Sequence, residues 1–221
     1  MRLGRIGAFI MTILLKFEGG KVLEPLFTIF KQDSSEEEFW SFANEDIKCE
    51  LKDEVLVIDS PANQKHEDIF SLLLTLFRYY LVNTGLGKAF GSRFVMRLSE
   101  RWNPEPDLLV ILKNKLENLE GGRLQGPADL VIEILSDSTR KTDLEEKIPH
   151  FLSEGVQEIW IIDPANESIV VEWVDGEISY YDPMSTDVIA SRVPRSLHIR
   201  VEWIWARDLH PTKEDLQDLL G

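Results

Sequence analysis

Three runs of this chain are too apolar to lie on a surface: Asp107-Leu-Leu-Val-Ile-Leu112, Asp129-Leu-Val-Ile-Glu-Ile-Leu135 and Glu158-Ile-Trp-Ile-Ile162. They are short and rich in β-branched residues, which suits strands. A strand that is apolar throughout, and does not alternate, is covered on both faces. The runs therefore demand a sheet with helices packed on each side. Two helix signals supply them. Ile69, Leu72, Leu73, Leu76, Phe77, Tyr80 and Leu81 recur at three and four residues, and Gly85 and Gly87 end that helix. Thr142 to Glu145 has capping-box spacing, Leu144, Ile148, Phe151 and Leu152 form an apolar stripe, and Gly155 stops it. The order strand, long loop, strand, helix, strand, hairpin predicts an α/β fold with a mixed central sheet.

The remaining elements are lighter. Ser35 to Glu38 starts a short helix over 35–43, and strands at 47–51 and 55–58 turn at Lys52-Asp53-Glu54. Residues 88–98 read as one strand and 113–126 as a polar loop. Asp163-Pro164-Ala165-Asn166 turns into a strand over 168–174, and Asp175-Gly176 is a hairpin signal into 177–181. The tail has strand character at 197–204 and a short helix at 212–220. Residues 1–21 read as a weakly packed extension and 22–221 as a single domain. The apolar run Ile6 to Leu15 falls short of the roughly 18 residues of a membrane span, so no membrane partner is expected. Cys49 is the only cysteine, which excludes an intramolecular disulfide or a cysteine-built zinc site and suits a reducing, cytoplasmic setting. With 24 Lys and Arg against 39 Asp and Glu, the net charge is −15. Such a chain does not coat nucleic acid through bulk charge. Contact with DNA would need a local patch or metal ions screening the phosphates.

Glu133 is out of place. It stands inside an apolar strand, and a glutamate is seldom fully buried without a partner because desolvating its charge is costly. Either it lies at a solvent-facing strand edge, or it points into a cleft toward a cation. Asp107 opens the other buried run, directly after Pro106. If the two strands are neighbours, the carboxylates converge, as a hard divalent cation such as Mg²⁺ or Mn²⁺ requires. Leu135 shares the face of Glu133, so no lysine stands two residues on. The following helix carries Lys147, four residues after Asp143. It is either a surface lysine paired with Asp143 or an ammonium reaching the carboxylates along its apolar stem. Pro149 inside this helix predicts a kink just after Lys147.

Asp107, Glu133 and a helix lysine together resemble the PD-(D/E)XK nuclease superfamily, and most closely its Uma-type restriction-endonuclease group. The segments that carry the resemblance are Pro106-Asp107-Leu-Leu-Val, the stretch from Gly126 to Arg140 containing Asp129, Glu133, Ser136, Ser138 and Thr139, Asp143-Leu-Glu-Glu-Lys147, and Gly155 to Pro164. Asn63-Gln-Lys-His66 fits as well. The likeness runs in order over residues 34–205. It implies a restriction-endonuclease-like fold, with Asp107 and Glu133 as metal ligands and Lys147 as the group that steers the nucleophile. It also implies a metal-dependent DNA endonuclease using Mg²⁺ or Mn²⁺.

His66 and Glu67 fall at the rim of such a site, with a structural, hydrogen-bonded His66 as the alternative. Ser138, Thr139 and Arg140 precede the helix and could meet a phosphate or simply cap and turn. Arg93, Arg97, Arg101, Arg123, Arg140 and Lys141 are the basic residues expected near the cleft. The tryptophans read as core or dimer contacts, the strand-rich C-terminal third being where a homo-oligomer could form. The competing function is a catalytically degenerate module that binds nucleic acid or protein. A glycosidase reading of the carboxylate pair lacks sugar-stacking aromatics around these strands.

Overall fold

The structure, a computed structural model, describes residues 28–43, 48–59, 63–91, 93–136, 140–184, 187–206 and 211–220. Strand β1 (Thr28–Lys31) leads through α1 (Glu36–Phe42) into the hairpin of β2 (Cys49–Lys52) and β3 (Val55–Asp59). Asp53 and Glu54 both have positive φ, 48° and 67°, the left-handed pair whose twist matches a two-residue hairpin turn. Helix α2 (Gln64–Thr84) is capped at Asn63, whose side chain accepts from the His66 N–H, and ends at Gly85 with φ 66°. Next come β4 (Gly87–Gly91), β5 (Leu108–Leu112) and β6 (Leu130–Ile134). A composite helix α3 (140–153) follows, then β7 (Glu158–Asp163), β8 (Ser168–Trp173) and β9 (Ile178–Tyr181).

Six strands form the main sheet in the order β9-β8-β7-β6-β5-β4. Only β6 and β7 pair in parallel, and α3 is the crossover between them; the other neighbours are antiparallel. This is the mixed α/β sheet expected from the apolar runs. One face packs Leu108, Val110, Leu130, Ile132, Trp160 and Ile162 against α2. Phe77 meets Trp160 edge-on, with ring centroids 5.4 Å apart. The other face packs Leu109, Ile111, Val131, Leu135, Ile159 and Ile161 against Ile148 and Phe151 of α3. Each such side chain contributes about 1.5–3 kcal/mol on burial. A smaller antiparallel sheet, β1-β3-β2 with Trp102–Asn103 at its end, stands beside the main one.

Several local expectations are corrected. The strand expected at 88–98 is two pieces, β4 and Met96–Arg97, separated by a turn in which Arg93 has φ 71°. The expected loop 113–126 holds a 3₁₀ helix, Lys113–Asn118, and two short strands. Over 197–204 the strand covers only His198–Arg200 and gives way to a helix, Val201–Trp205, whose Val201, Trp203 and Ile204 are buried. Burial there overrides β-branched and aromatic propensity. Thr142 caps nothing, because α3 already begins at Arg140, and Leu144 is 41% exposed. Residues 1–21, Ser138 and Thr139 lie outside the described residues. Among the described residues, no helix is long and apolar enough to cross a membrane.

Candidate active site

The register of β5 on β6 sets Leu108 opposite Ile132. Extending it by one residue puts Asp107 opposite Glu133. Both then share the α3 face with Leu109 and Val131, since side chains alternate along a strand. Facing residues of an antiparallel pair hold their Cβ atoms about 4.5–5.5 Å apart. The ladder also ties the pair directly: the Ile134 N–H donates to Asp107 Oδ2 at 2.9 Å. Both carboxylates are buried.

Lys147 reaches them from α3. This helix starts as an α turn (Arg140–Thr142), opens into a π turn (Asp143–Lys147) and resumes as α (Ile148–Ser153). The Ile148 N–H bonds to the Asp143 carbonyl, closing the wider ring. Pro149 therefore stands in the first turn of the resumed helix, where its missing N–H costs little. The kink expected at Pro149 takes the form of this π turn, which turns both Asp143 and Lys147 inward. The Lys147 Nζ lies 2.8 Å from Glu133 Oε1, 3.0 Å from Glu50 Oε1 and 3.5 Å from Asp143 Oδ1. Its bond to Glu50 is an aligned hydrogen bond. The contact with Glu133 is closer still, a buried ion pair.

Asp107 is held on its other sides. The Lys48 Nζ donates to Oδ1 at 2.9 Å, and His66 Nε2 lies 3.2 Å from Oδ2. His66 is buried on the first turn of α2, and its Nδ1 has no hydrogen-bond partner. Glu67, with a side chain 56% exposed, stands at the rim 3.7 Å from His66 Nδ1. Arg140 is not part of this group. Its guanidinium forks onto Asp163 at the end of β7, with Nη2 2.6 Å from Oδ1 and Nη1 paired to Oδ2. Arg97 likewise forks onto Glu36, Arg101 pairs with Asp53, and Arg123 stacks 4.0 Å over Trp40. These arginines fasten the small sheet and α1. A cavity of about 470 Å³ lies away from the carboxylates, at the far ends of β5 and β7, lined by Leu86, Leu112, Gln157 and Val193.

The buried charges do not balance. Glu50, Glu105, Asp107, Glu133 and Asp143 face the ammonium groups of Lys48 and Lys147. Burial pushes Glu133 up to about 8; Lys147 pulls it down, and Asp107, Asp143 and Glu50 push it up again. Glu105, between Pro104 and Pro106, is also pushed up to about 8 by burial and by Glu50, and its Oε2 has no partner. Burial works against the charge on Lys147, but Glu133, Glu50 and Asp143 hold it well above the ordinary lysine range. Burial likewise raises Asp107, yet Lys48 and His66 keep it below the usual carboxylate range. An acid driven up beside a lysine driven up is the mark of surplus negative charge in a dry site.

Such a surplus of carboxylates suits a divalent cation. Among the described residues no three His, Cys, Asp or Glu side chains form a ready cage. Asp107 and Glu133 would supply two carboxylates, the donor set that Mg²⁺ takes with waters completing its shell.

A family model described as "Uma2: Putative restriction endonuclease" matches residues 36–187. The chain belongs to the Uma2 family. A crystal structure of "a putative nuclease belonging to DUF820" from Anabaena variabilis has the same fold at 20% identity. Its TM-score is 0.66, and the match covers 85% of this chain and 99% of that one. No curated protein matches this sequence.

The pattern anticipated for a Uma2 site brings together Asp107, Glu133, Lys147 and His66, with Glu67 at the edge and Arg140 outside. It omitted Lys48, Glu50 and Glu105. In this Uma2 chain the alternation of Lys48, Glu50 and Lys52 with Cys49 and Leu51 looks like the wet face of a hairpin. The only local sign was the apolar setting of Glu50, which is 5% exposed.

Proposed function

We propose that this Uma2 protein is an endonuclease that hydrolyses DNA phosphodiester bonds with Mg²⁺ or Mn²⁺. The observation that carries this reading is the convergence of Asp107 and Glu133 from adjacent strands with Lys147 Nζ 2.8 Å from Glu133. Asp107 and Glu133 are the residues that would hold the ion. When bound, it supplies Lewis acidity toward a phosphoryl oxygen and toward water. The rest falls to the chain. Lys147, kept as an ammonium, donates to the attacking water and to the charge that builds on phosphorus. His66 and the Ile134 N–H hold Asp107 in one orientation. Glu67 stands where a DNA strand would pass. With a net charge of −15, contact with phosphates would depend on the ion and on the few cations of the site.

The binding-module alternative leaves the buried carboxylates without a purpose. A fold kept only for binding gains nothing from desolvated acids that apolar residues could replace. Nicking of supercoiled plasmid decides. The wild type should cleave with Mg²⁺ or Mn²⁺, and Glu133→Ala should not, at unchanged circular dichroism. A wild type that cleaves neither supercoiled nor single-stranded DNA with any divalent ion refutes the activity.

A further inference from the structure

Strand β2 lies outside the elements that carry Asp107, Glu133 and Lys147, yet it meets two of the three. Lys48, just before the strand, and Glu50 within it are two residues apart and so face the same side. The Lys48 ammonium lies 2.9 Å from Asp107, and the Glu50 carboxylate accepts from Lys147 at 3.0 Å. Each residue offers the charge opposite to that of its target. Cys49 and Leu51, on the other face, pack with Phe39, Leu56 and Val95 and anchor the strand.

Stability alone does not account for Glu50. A buried ion pair is seldom more stabilising than apolar residues of similar volume. What Glu50 does uniquely is geometric. Of the three carboxylates on Lys147, Glu133 and Asp143 belong to the β6–α3 segment that carries the lysine itself. Glu50 comes from a different sheet, and the oxygen that meets Lys147 also accepts the Glu105 N–H at 3.0 Å. That donor sits between two prolines, whose fixed φ stiffens the backbone. The ammonium is thus drawn to a point fixed from outside its own helix.

We propose that Glu50 is a positioning residue for the hydrolytic reaction, holding the Lys147 ammonium on Glu133. The proposal rests on Lys147 as the group that steers the water. The test is Glu50→Met in the full chain, with crystal structures of variant and wild type, plasmid nicking with Mn²⁺, and thermal melting. The expected result is a Lys147 Nζ displaced from Glu133 and a kcat lowered about a hundredfold, the scale of a misplacement near 1 Å. KM for DNA should hold; the melting temperature should fall, since the Lys147 ammonium and the Glu105 N–H both lose an acceptor, so kcat is read well below it. Lys147 still seated on Glu133 in the variant overturns the proposal, as does a kcat that falls only in step with melting. If the Met variant does not fold, Glu50→Asp carries the same readouts, because it retracts the carboxylate by one methylene and keeps its charge. An inactive wild type would count against the nuclease reading. The position of Lys147 in the two crystal structures decides the role of Glu50 without it.

Discussion

Replacing Lys147 with methionine tests the charge arithmetic of the site. The ammonium is 6% exposed and serves Glu133, Glu50 and Asp143, whose side chains are 3%, 7% and 6% exposed. Removing one partner of a buried pair costs about 3–5 kcal/mol, because the other charge is left uncompensated. Here one ammonium serves all three, so the upper part of that range is expected. For a chain of this size each kcal/mol moves the melting temperature by roughly 2–4 °C, so the variant should melt about 8–20 °C lower. The loss should depend on pH. Glu133 is raised in the folded state, from 4.5 to about 8. A raised carboxyl binds its proton more tightly when folded, so its contribution is fully present below 4.5 and is lost as pH rises through about 8. Without Lys147 that penalty grows, and the gap from wild type should be wider at pH 9 than at pH 6. Adding Glu133→Gln removes the acid that is forced to ionise in that dry site and should restore part of the loss at pH 9, a coupling of about 1–3 kcal/mol. Urea unfolding followed by tryptophan fluorescence measures all four proteins. A Lys147→Met protein as stable as wild type at both pH values, or a double variant no better than the single one at pH 9, refutes the reasoning.

Mn²⁺ should stabilise the wild type by about 2.7 kcal/mol at a hundred times its Kd, seen as a rise in melting temperature that chelation reverses. Asp107→Asn should lose that rise and the calorimetric heat together. Arg140→Ala should weaken the joint between α3 and β7 and leave plasmid affinity unchanged; a fall in DNA affinity instead would assign Arg140 to the substrate. Because Arg140 and Asn166 hold Asp163 below its ordinary 3.8, that stabilisation is present above 3.8 and lost as pH falls further, so variant and wild type should converge in acid. Charge-reversed Glu67→Lys at the exposed rim should tighten DNA binding and raise its salt slope by about one; an unchanged slope would move the DNA path away from α2.

Asp107 and Glu133 were legible because each is an acid set in an apolar run, where the cost of burial itself is the signal. Lys147 was legible through its spacing from Asp143 and the family resemblance, but its reach was not, since Pro149 announced a distortion without saying which. The helix flanks and the mixed character of the sheet follow from hydrophobic period and glycine stops, but the order of its strands does not. Lys48 and Glu50 escaped because period-two alternation separates two faces without telling which one water touches; here a second sheet covers the polar one. Glu105 hid between prolines, a context that normally means an exposed turn. Arg140 looked available for a phosphate because its partner, Asp163, lies 23 residues away across the crossover.

The π turn over Asp143–Lys147 holds one residue more than an α turn, so losing one there would not turn the helix flanks against each other as it would in a regular helix. Removing a single residue between those two would let the segment close toward an ordinary α-helix, but Pro149 would then stand in its interior, at a cost of about 3 kcal/mol. Asp143 and Lys147 would move from four residues apart to three and would still share a helical face. The wide turn is thus what lets a proline follow Lys147 so closely without breaking the helix.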